Sequence, residues 1–135
     1  MTGAQQNTVP PRGEPSVKVI AMPKDANPDG DVFGGWILSM MDLAGALPAR
    51  RLAKKRVVTV ALDNVQFLEP VFIGDMVECF ATIEKVGRTS ITVKVDTFVE
   101  RRESGECQKV TEGHFVYVAL GKDREPAPVH SGDNI

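Results

Sequence analysis

Apolar residues recur at helical spacing in one segment of the chain and at strand spacing in five others. After Gly34-Gly35 they are three or four residues apart, at Trp36, Met40, Leu43 and Leu47, with Ile37, Met41 and Ala44 beside them. This pattern predicts one long helix that is buried over more than half of its circumference. Five segments rich in Val, Ile, Thr and Phe are bounded by turn formers, which predicts strands at 17–22, 57–68, 75–86, 89–101 and 107–120.

The order of these elements predicts an α+β domain. A strand comes first, then the helix, then four strands joined mostly by hairpins, so that an antiparallel sheet packs on one helix. A single helix covers only one face of such a sheet and leaves the edge strands unpaired. Small domains commonly solve both problems by pairing with a second copy. We therefore expect a homo-oligomer on physical grounds alone.

Pro48 interrupts the predicted helix. A proline inside a helix removes one backbone hydrogen bond and usually bends the rod. The sequence therefore predicts a kink, or an early end of the helix, near residues 46–51. Basic residues cluster here, where they complement the negative end of the helix dipole; they are Arg50, Arg51, Lys54, Lys55 and Arg56.

Composition and charge narrow the class of protein. The chain has 135 residues, 42% of them hydrophobic, which suits one domain. With 16 Lys+Arg against 18 Asp+Glu, it lacks the basic excess that broad nucleic-acid binding requires. No apolar run is long enough to cross a bilayer, and the N-terminus does not resemble a secretory signal. Cys79 and Cys107 match no metal or disulfide pattern. We expect a cytoplasmic protein without metal, membrane or nucleic-acid partners.

Prolines and small polar residues concentrate near both ends of the chain. This composition predicts loosely ordered arms at residues 1–15 and 122–135. The folded domain is then expected to span residues 16–121.

Asp42 is the first candidate for chemistry. In a helix its neighbours are small or apolar, namely Leu38, Ser39, Gly45 and Ala46. A carboxylate in such surroundings is costly unless it is hydrogen-bonded. Gly45 and Ala46 leave space beside it that a substrate could occupy. A carboxylate that caps a neighbouring loop is the alternative, and the local sequence alone favours that structural role.

Two glycines, Gly34 and Gly35, mark the predicted start of the same helix. Glycine lets the backbone approach a ligand closely. The unpaired N–H groups at a helix start can also stabilise a developing oxyanion. The pair equally suits a simple entry turn, so by itself it is weak support for a site.

The combined pattern is more specific than its parts. Asn27 precedes Gly30-Asp31-Val32-Phe33-Gly34-Gly35-Trp36, and Met41-Asp42 and Ala44-Gly45 follow. Further motifs are Arg56-Val57-Val58-Thr59-Val60, Phe67-x-x-Pro70-Val71-x-x-Gly74-Asp75 and Val86-Gly87-Arg88-Thr89-Ser90-Ile91. In these motifs the chain resembles the hotdog-fold acyl-CoA thioesterases, especially the YciA-type and brain-type cytosolic acyl-CoA hydrolases. The resemblance implies a hotdog fold, with a long central helix wrapped by a five-stranded antiparallel sheet.

The resemblance also implies an activity and the residues that perform it. The chain is expected to hydrolyse acyl-CoA to a free acid and coenzyme A, with no cofactor beyond the coenzyme A of its substrate. Asp42 matches the catalytic carboxylate, acting as general base or as nucleophile. Asn27 matches a residue that assists it across the dimer interface. Gly34 and Gly35 match the turn where the thioester carbonyl is polarised.

The coenzyme A end of the substrate needs cations and hydrogen-bond donors for its phosphates. The resemblance implies the turn at Arg88, Thr89 and Ser90, with Lys55 and Thr59 as further contacts. An ordinary polar hairpin turn and a solvated charge cluster explain the same residues without a ligand. The resemblance to YciA-type enzymes also implies the assembly, a hexamer built as a trimer of dimers.

Asp63 and the histidines receive no catalytic role. Asp63 lies within a predicted strand, where Asp is unfavourable, and is expected to make a structural hydrogen bond at the dimer seam. His114 is expected to pack in the last strand, and His130 lies in the C-terminal arm.

Two other functions are weighed against hydrolysis. Hotdog dehydratases rely on a histidine near the helix, and this chain has none there. A non-catalytic acyl-CoA sensor would keep the fold without turnover, although the retained Asn27, Asp42 and glycine turn argue against it.

Overall fold

One long helix and five strands make up residues 13–130, the part of the chain that the computed structural model describes. The helix, α1, is Gly34–Ala53. The strands are β1 (Val17–Ile20), β2 (Arg56–Phe67), β3 (Met76–Val86), β4 (Ser90–Glu100) and β5 (Cys107–Leu120). A short 3-10 turn at Pro23–Asp25 separates β1 from the helix. The strands form one antiparallel sheet in the order β1-β3-β4-β5-β2.

The core lies between the helix and one face of the sheet. Along β4 and β5 every second residue is buried, as expected for strands with one face against a helix. The inward side chains of these strands include Val93, Val95, Phe115 and Tyr117, all fully buried. One helix against a five-stranded antiparallel sheet confirms the predicted α+β arrangement. The predicted strands match the observed ones closely, except that the first ends at Ile20.

The buried face of α1 differs from the predicted one. Leu43 and Leu47, two members of the predicted apolar stripe, are 57% and 43% exposed. The helix instead buries Ile37 and Met41 together with a row of small residues, Ala44, Gly45, Ala49 and Ala53. Small side chains let the helix backbone approach the sheet closely, so the best-packed face is not the most hydrophobic one. The prediction that Leu43 and Leu47 face the core is therefore wrong.

Pro48 does not end the helix, which continues to Ala53, so the expectation of an early end is wrong. Proline removes only the hydrogen bond that its own N–H would donate to Ala44, and the turns on both sides hold the rod together. The helix ends where Lys54 adopts a left-handed conformation, with φ of 55°, and donates its N–H to the carbonyl of Arg50. The alternative, a kink at Pro48, stays a prediction.

Strand β2 is an edge of the sheet and leaves apolar side chains uncovered. Val60, Leu62 and Phe67 on this strand are 55%, 43% and 53% exposed. Together with Leu43 and Leu47 of α1 they form what we call the apolar edge. An unpaired strand with exposed apolar side chains readily pairs with another chain. The apolar edge therefore gives physical support to the expected pairing with a second copy.

The segment after β5 folds back onto the sheet. Ala127 donates its N–H to the carbonyl of Ala119, and Val129 donates to the carbonyl of Arg88, both at 2.8 Å. The Val129 side chain is 1% exposed. The packed part of the chain thus extends beyond residue 121. Residues 1–12 and 131–135 of the predicted arms lie outside the described residues, and the domain limits stay a prediction.

No helix within residues 13–130 is long and apolar enough to span a membrane.

Candidate active site

Asp42 lies in the middle of α1, where two hydroxyl groups reach it from the sheet. Thr59 on β2 donates a hydrogen bond to Oδ1 of Asp42 at 2.6 Å. The Tyr117 hydroxyl on β5 lies 3.1 Å from the same oxygen and 2.8 Å from the backbone carbonyl oxygen of Asp42. Oδ2 has no hydrogen-bond partner among the described residues. The carboxylate is thus fixed through one oxygen and open at the other.

The sheet register places the two hydroxyls side by side. Thr59 and Tyr117 are directly paired across β2 and β5, so both side chains project from the same face toward the helix. Gly45, one turn beyond Asp42, makes room for the tyrosine. A Cβ at Gly45 would stand 2.5 Å from the Tyr117 hydroxyl oxygen, a distance that no real contact shows.

Tyr117 is a neutral hydrogen-bond donor in these surroundings. Its side chain is fully buried. Burial, and then the neighbouring charge and hydrogen bond of Asp42, raise the pKa of Tyr117 far above its ordinary value. The phenol therefore keeps its proton at any pH at which the protein would work. A phenol has one proton to donate, and an ionised carboxylate is the stronger of the two acceptors beside it.

The start of α1 offers uncapped backbone donors. Phe33 is the N-cap residue and makes no side-chain hydrogen bond there. By their position, the N–H groups of Gly34 and Gly35 have no partner within the helix. A Cβ at Gly34 would meet the Phe67 ring at 3.3 Å, whereas the space around Gly35 is open. A ligand can therefore approach the backbone most closely at Gly35.

A pocket of about 430 Å³ opens beside this helix start. Its walls are mostly apolar, and they are Asp31, Val32, Gly34, Ile37, Phe67, Leu68, Glu69, Pro70 and Val71. Glu69 is 6% exposed, and its Oε2 has no hydrogen-bond partner within residues 13–130. Gly34 and Ile37 are part of its lining, so the pocket adjoins the first turns of α1.

Asn27 shapes the loop that leads into the helix. Its Oδ1 accepts hydrogen bonds from the N–H groups of Asp29 and Asp31, at 2.9 and 3.1 Å. This arrangement is the ordinary structural use of asparagine in a turn. The side-chain amide group, which can only donate, is the part of Asn27 that could serve a substrate.

The residues predicted for coenzyme A lie near the Arg56 end of β2, opposite the Phe67 end that contacts the helix start. Gly87 donates its N–H to the Ser90 carbonyl and closes the turn that holds Arg88 and Thr89. Ser90 is paired with Val118, which is paired with Val58. Neighbouring strands are about 4.8 Å apart, so Ser90 and Val58 are separated by roughly 10 Å. Lys55 directly precedes β2 and thus lies at the same end of the sheet. Thr59 follows Val58, but its hydroxyl is hydrogen-bonded to Asp42.

One chain does not bring Asp42 and the helix start together. Gly35 and Asp42 are seven residues apart, roughly 10 Å along the axis. The N–H groups at a helix start point away from the helix body, so a carbonyl oxygen bound there lies about 3 Å further still. Within one chain the carboxylate and this donor are too far apart to act on the same thioester.

Part of the motif pattern serves the fold. Asp75 is 2% exposed and accepts hydrogen bonds from the Phe72 N–H at 2.9 Å and from Arg101 at 2.5 Å. Arg101 also binds the Gln108 side chain. Gly74 has φ of +93°, a conformation that favours glycine. The Gly74-Asp75 pair thus has a complete structural explanation.

His114 and Asp63 lie away from Asp42. His114 Nε2 is 3.2 Å from a carboxylate oxygen of Glu84, and its Nδ1 is buried without a partner in the described part of the chain. Asp63 is exposed on the edge strand, paired in register with His114. No group of three or more His, Cys, Asp or Glu within residues 13–130 could hold a metal ion. The structural bond expected of Asp63 at a dimer seam stays a prediction.

The sequence analysis missed Tyr117. It lies in a strand 75 residues from Asp42, and no short motif surrounds it. Only the register between β2 and β5 shows that Tyr117 stands beside Thr59, so a correct strand pairing was the one signal that could have revealed it.

Comparison with known proteins gives consistent matches. The thioesterase superfamily profile matches residues 29–106. The acyl-CoA thioester hydrolase YciA of Salmonella typhimurium is 43% identical over 122 residues, which cover 88% of this chain and 92% of that protein.

Solved structures agree in fold. A hexameric thioesterase of Yersinia pestis superimposes with a TM-score of 0.84 at 42% identity, covering 90% of this chain and 99% of that one. A hexameric hotdog fold thioesterase of Campylobacter jejuni gives a TM-score of 0.82 at 47% identity, covering 87% and 91%. The predicted hotdog fold is confirmed.

Proposed function

The chain belongs to the thioesterase superfamily, and we propose that it hydrolyses the thioester of acyl-CoA to a free acid and coenzyme A. The observation that carries this proposal is the Asp42 carboxylate, fixed through Oδ1 and open at Oδ2. A carboxylate held in one orientation can act on a substrate without first reorganising. The name of the Salmonella relative supports acyl-CoA as the substrate class.

Asp42 is the catalytic residue of this proposal. As general base it takes a proton from a water molecule, whose oxygen attacks the thioester carbon; the coenzyme A thiolate then leaves and receives a proton. As nucleophile, Asp42 itself displaces coenzyme A and forms an anhydride that water hydrolyses. A single turnover in ¹⁸O-labelled water separates the two, because only the anhydride route can leave the label in Asp42.

A second copy of the chain completes the site. The distance along α1 keeps Asp42 from a carbonyl bound at Gly35 of the same chain, so the donor comes from a partner. An antiparallel partner on β2 would place the Phe67 end of one strand beside the Arg56 end of the other. Each Asp42 then faces the helix start and the Asn27 amide of the partner chain.

The assembly that follows is a homo-oligomer built from dimers. The apolar edge supplies the surface for the dimer. The relatives from Yersinia pestis and Campylobacter jejuni are described as hexameric, which supports a trimer of dimers for this chain.

The coenzyme A end of the substrate binds at the end of the sheet that holds Lys55, Arg88 and Ser90, whereas the Thr59 hydroxyl is engaged by Asp42. Arg88 is exposed at the turn, where its guanidinium could reach a phosphate. The Thr89 carbonyl accepts a hydrogen bond from the Ala119 N–H at 2.9 Å, which fixes the backbone of this turn. The reaction requires no further cofactor.

The test is thiol release from acyl-CoAs of different chain length by wild type and Asp42→Asn. We expect turnover by wild type and a loss of about 100-fold or more in kcat in the variant, the usual size for a missing acid or base. Asp123→Asn is the matched control, since it makes the same chemical change in an exposed turn, and it should retain wild-type activity.

Two outcomes contradict the proposal. Binding of acyl-CoA without turnover by wild type would make the protein a sensor, the alternative raised by its fold alone. Turnover that survives Asp42→Asn would keep the activity and remove Asp42 from its centre.

A further inference from the structure

The two hydroxyls at Asp42 converge on a single oxygen. Thr59 donates to Oδ1, and the Tyr117 hydroxyl lies beside the same atom. A carboxylate on a helix can rotate about its side-chain bonds, and one hydrogen bond does not fix both torsions. Two donors from adjacent strands restrict the group to one orientation.

The hydroxyl of Tyr117 has no other use in the structure. The ring packs in the core beside Phe115, with ring centroids 6.5 Å apart, and it is fully buried. A phenylalanine would fill the same volume and spare the cost of burying a hydroxyl. Both contacts of the hydroxyl are with Asp42, and Gly45 leaves the space for them. The oxygen is therefore placed for Asp42 and not for packing.

We propose that Tyr117 is a positioning residue: with Thr59 it holds Oδ1 of Asp42, so that Oδ2 is the oxygen that acts on the substrate. This inference rests on the proposed thioesterase activity and adds a residue and an atom to it. Tyr117 acts through Asp42, because its hydroxyl is buried behind the carboxylate.

The test is Tyr117→Phe, which removes one oxygen and keeps the ring. We expect kcat to fall roughly tenfold, the size of one hydrogen bond to a charged group, while KM stays within twofold. The Tyr117 hydroxyl acts through Asp42 and does not bind the substrate, so the loss should fall on kcat and leave KM unchanged.

A second variant displaces the hydroxyl without deleting it. Gly45→Ala puts a methyl group 2.5 Å from the present position of the Tyr117 oxygen, so the hydroxyl must move, and kcat should fall with KM unchanged, as in Tyr117→Phe. Phe115→Leu is the packing control, because it perturbs the neighbouring ring and leaves the hydroxyl in place. At a temperature where both variants are folded, Phe115→Leu should keep the wild-type kcat.

The inference is overturned if Tyr117→Phe has wild-type kcat, or if Phe115→Leu lowers kcat equally. Failure of the proposed function itself looks different. In that case the wild-type protein has no turnover, or the Asp42→Asn variant retains turnover, and either result is independent of the residue at position 117.

Discussion

At the scale of single residues, the candidate site is a matter of hydrogen bonds to one carboxylate. Thr59 and Tyr117 approach Asp42 from two strands, and Gly45 supplies the space between them. Asp42 and Thr59 belong to the motifs that could be recognised in the sequence. Tyr117 could not be predicted, because its proximity depends on the pairing of two strands distant in the chain.

A second residue illustrates how burial alone suppresses chemistry. Cys79 is fully buried, and burial raises the pKa of its thiol to about 11, although a hydrogen bond from Thr97 partly opposes the shift. The thiolate is the reactive form, so Cys79 should resist iodoacetamide at pH 8 in the folded protein and react after unfolding. Mass spectrometry of the labelled peptide checks this, with half-buried Cys107 as the internal comparison.

The same thiol makes stability depend on pH in the alkaline range. The pKa of Cys79 is raised in the folded state above its ordinary value of 9.0. The contribution of the protonated Cys79 thiol to the free energy of unfolding is complete below that value and declines as pH rises toward about 11, because the thiol ionises at lower pH in the unfolded chain.

Rapid labelling of Cys79 by iodoacetamide in the folded protein at pH 8 would contradict its buried position.

At the scale of elements, the strands were more predictable than the helix face. Alternating apolar residues and clear turns fixed β2 to β5 within about two residues, because both signals are local. The buried face of α1 was mispredicted at Leu43 and Leu47. The prediction placed the most hydrophobic residues of α1 in the core. In the structure the helix lies close to the sheet, and the buried positions are instead those with small side chains, Ala44, Gly45, Ala49 and Ala53.

Pro48 offers a prediction at this scale. The helix passes through it without the hydrogen bond that another residue would donate to the carbonyl of Ala44. Because Ala44 is fully buried, that carbonyl has little access to water. Pro48→Ala should therefore stabilise the fold by about 1 kcal/mol or more, given that proline in a helix costs up to about 3 kcal/mol.

Urea denaturation of wild type and Pro48→Ala measures the difference in the free energy of unfolding. Ala49→Gly serves as the opposite control, since glycine should destabilise the same turn. A Pro48→Ala variant less stable than wild type would mean that the proline ring contributes packing that outweighs the missing bond.

At the scale of the whole molecule, one chain leaves two things incomplete. The apolar edge is uncovered, and Asp42 is separated from the donors at the start of its own helix by about two turns. The need for a partner could be predicted from the number of elements, since one helix cannot cover a five-stranded sheet. The family resemblance also implied that Asn27 acts across the dimer interface. The apolar edge could not be predicted, because the exposed face of α1 was mispredicted at Leu43 and Leu47.

The length of helix between Gly35 and Asp42 has a genetic consequence. If each site takes Asp42 from one chain and Asn27 from the other, then two inactive alleles can complement each other. Chains carrying Asp42→Asn, mixed by unfolding and refolding with chains carrying Asn27→Ala, would form hybrids in which one site has both native residues. Random pairing should restore about a quarter of wild-type activity. Two defective proteins that stay inactive after mixing would show that each chain works alone, and the two alleles could then not complement each other.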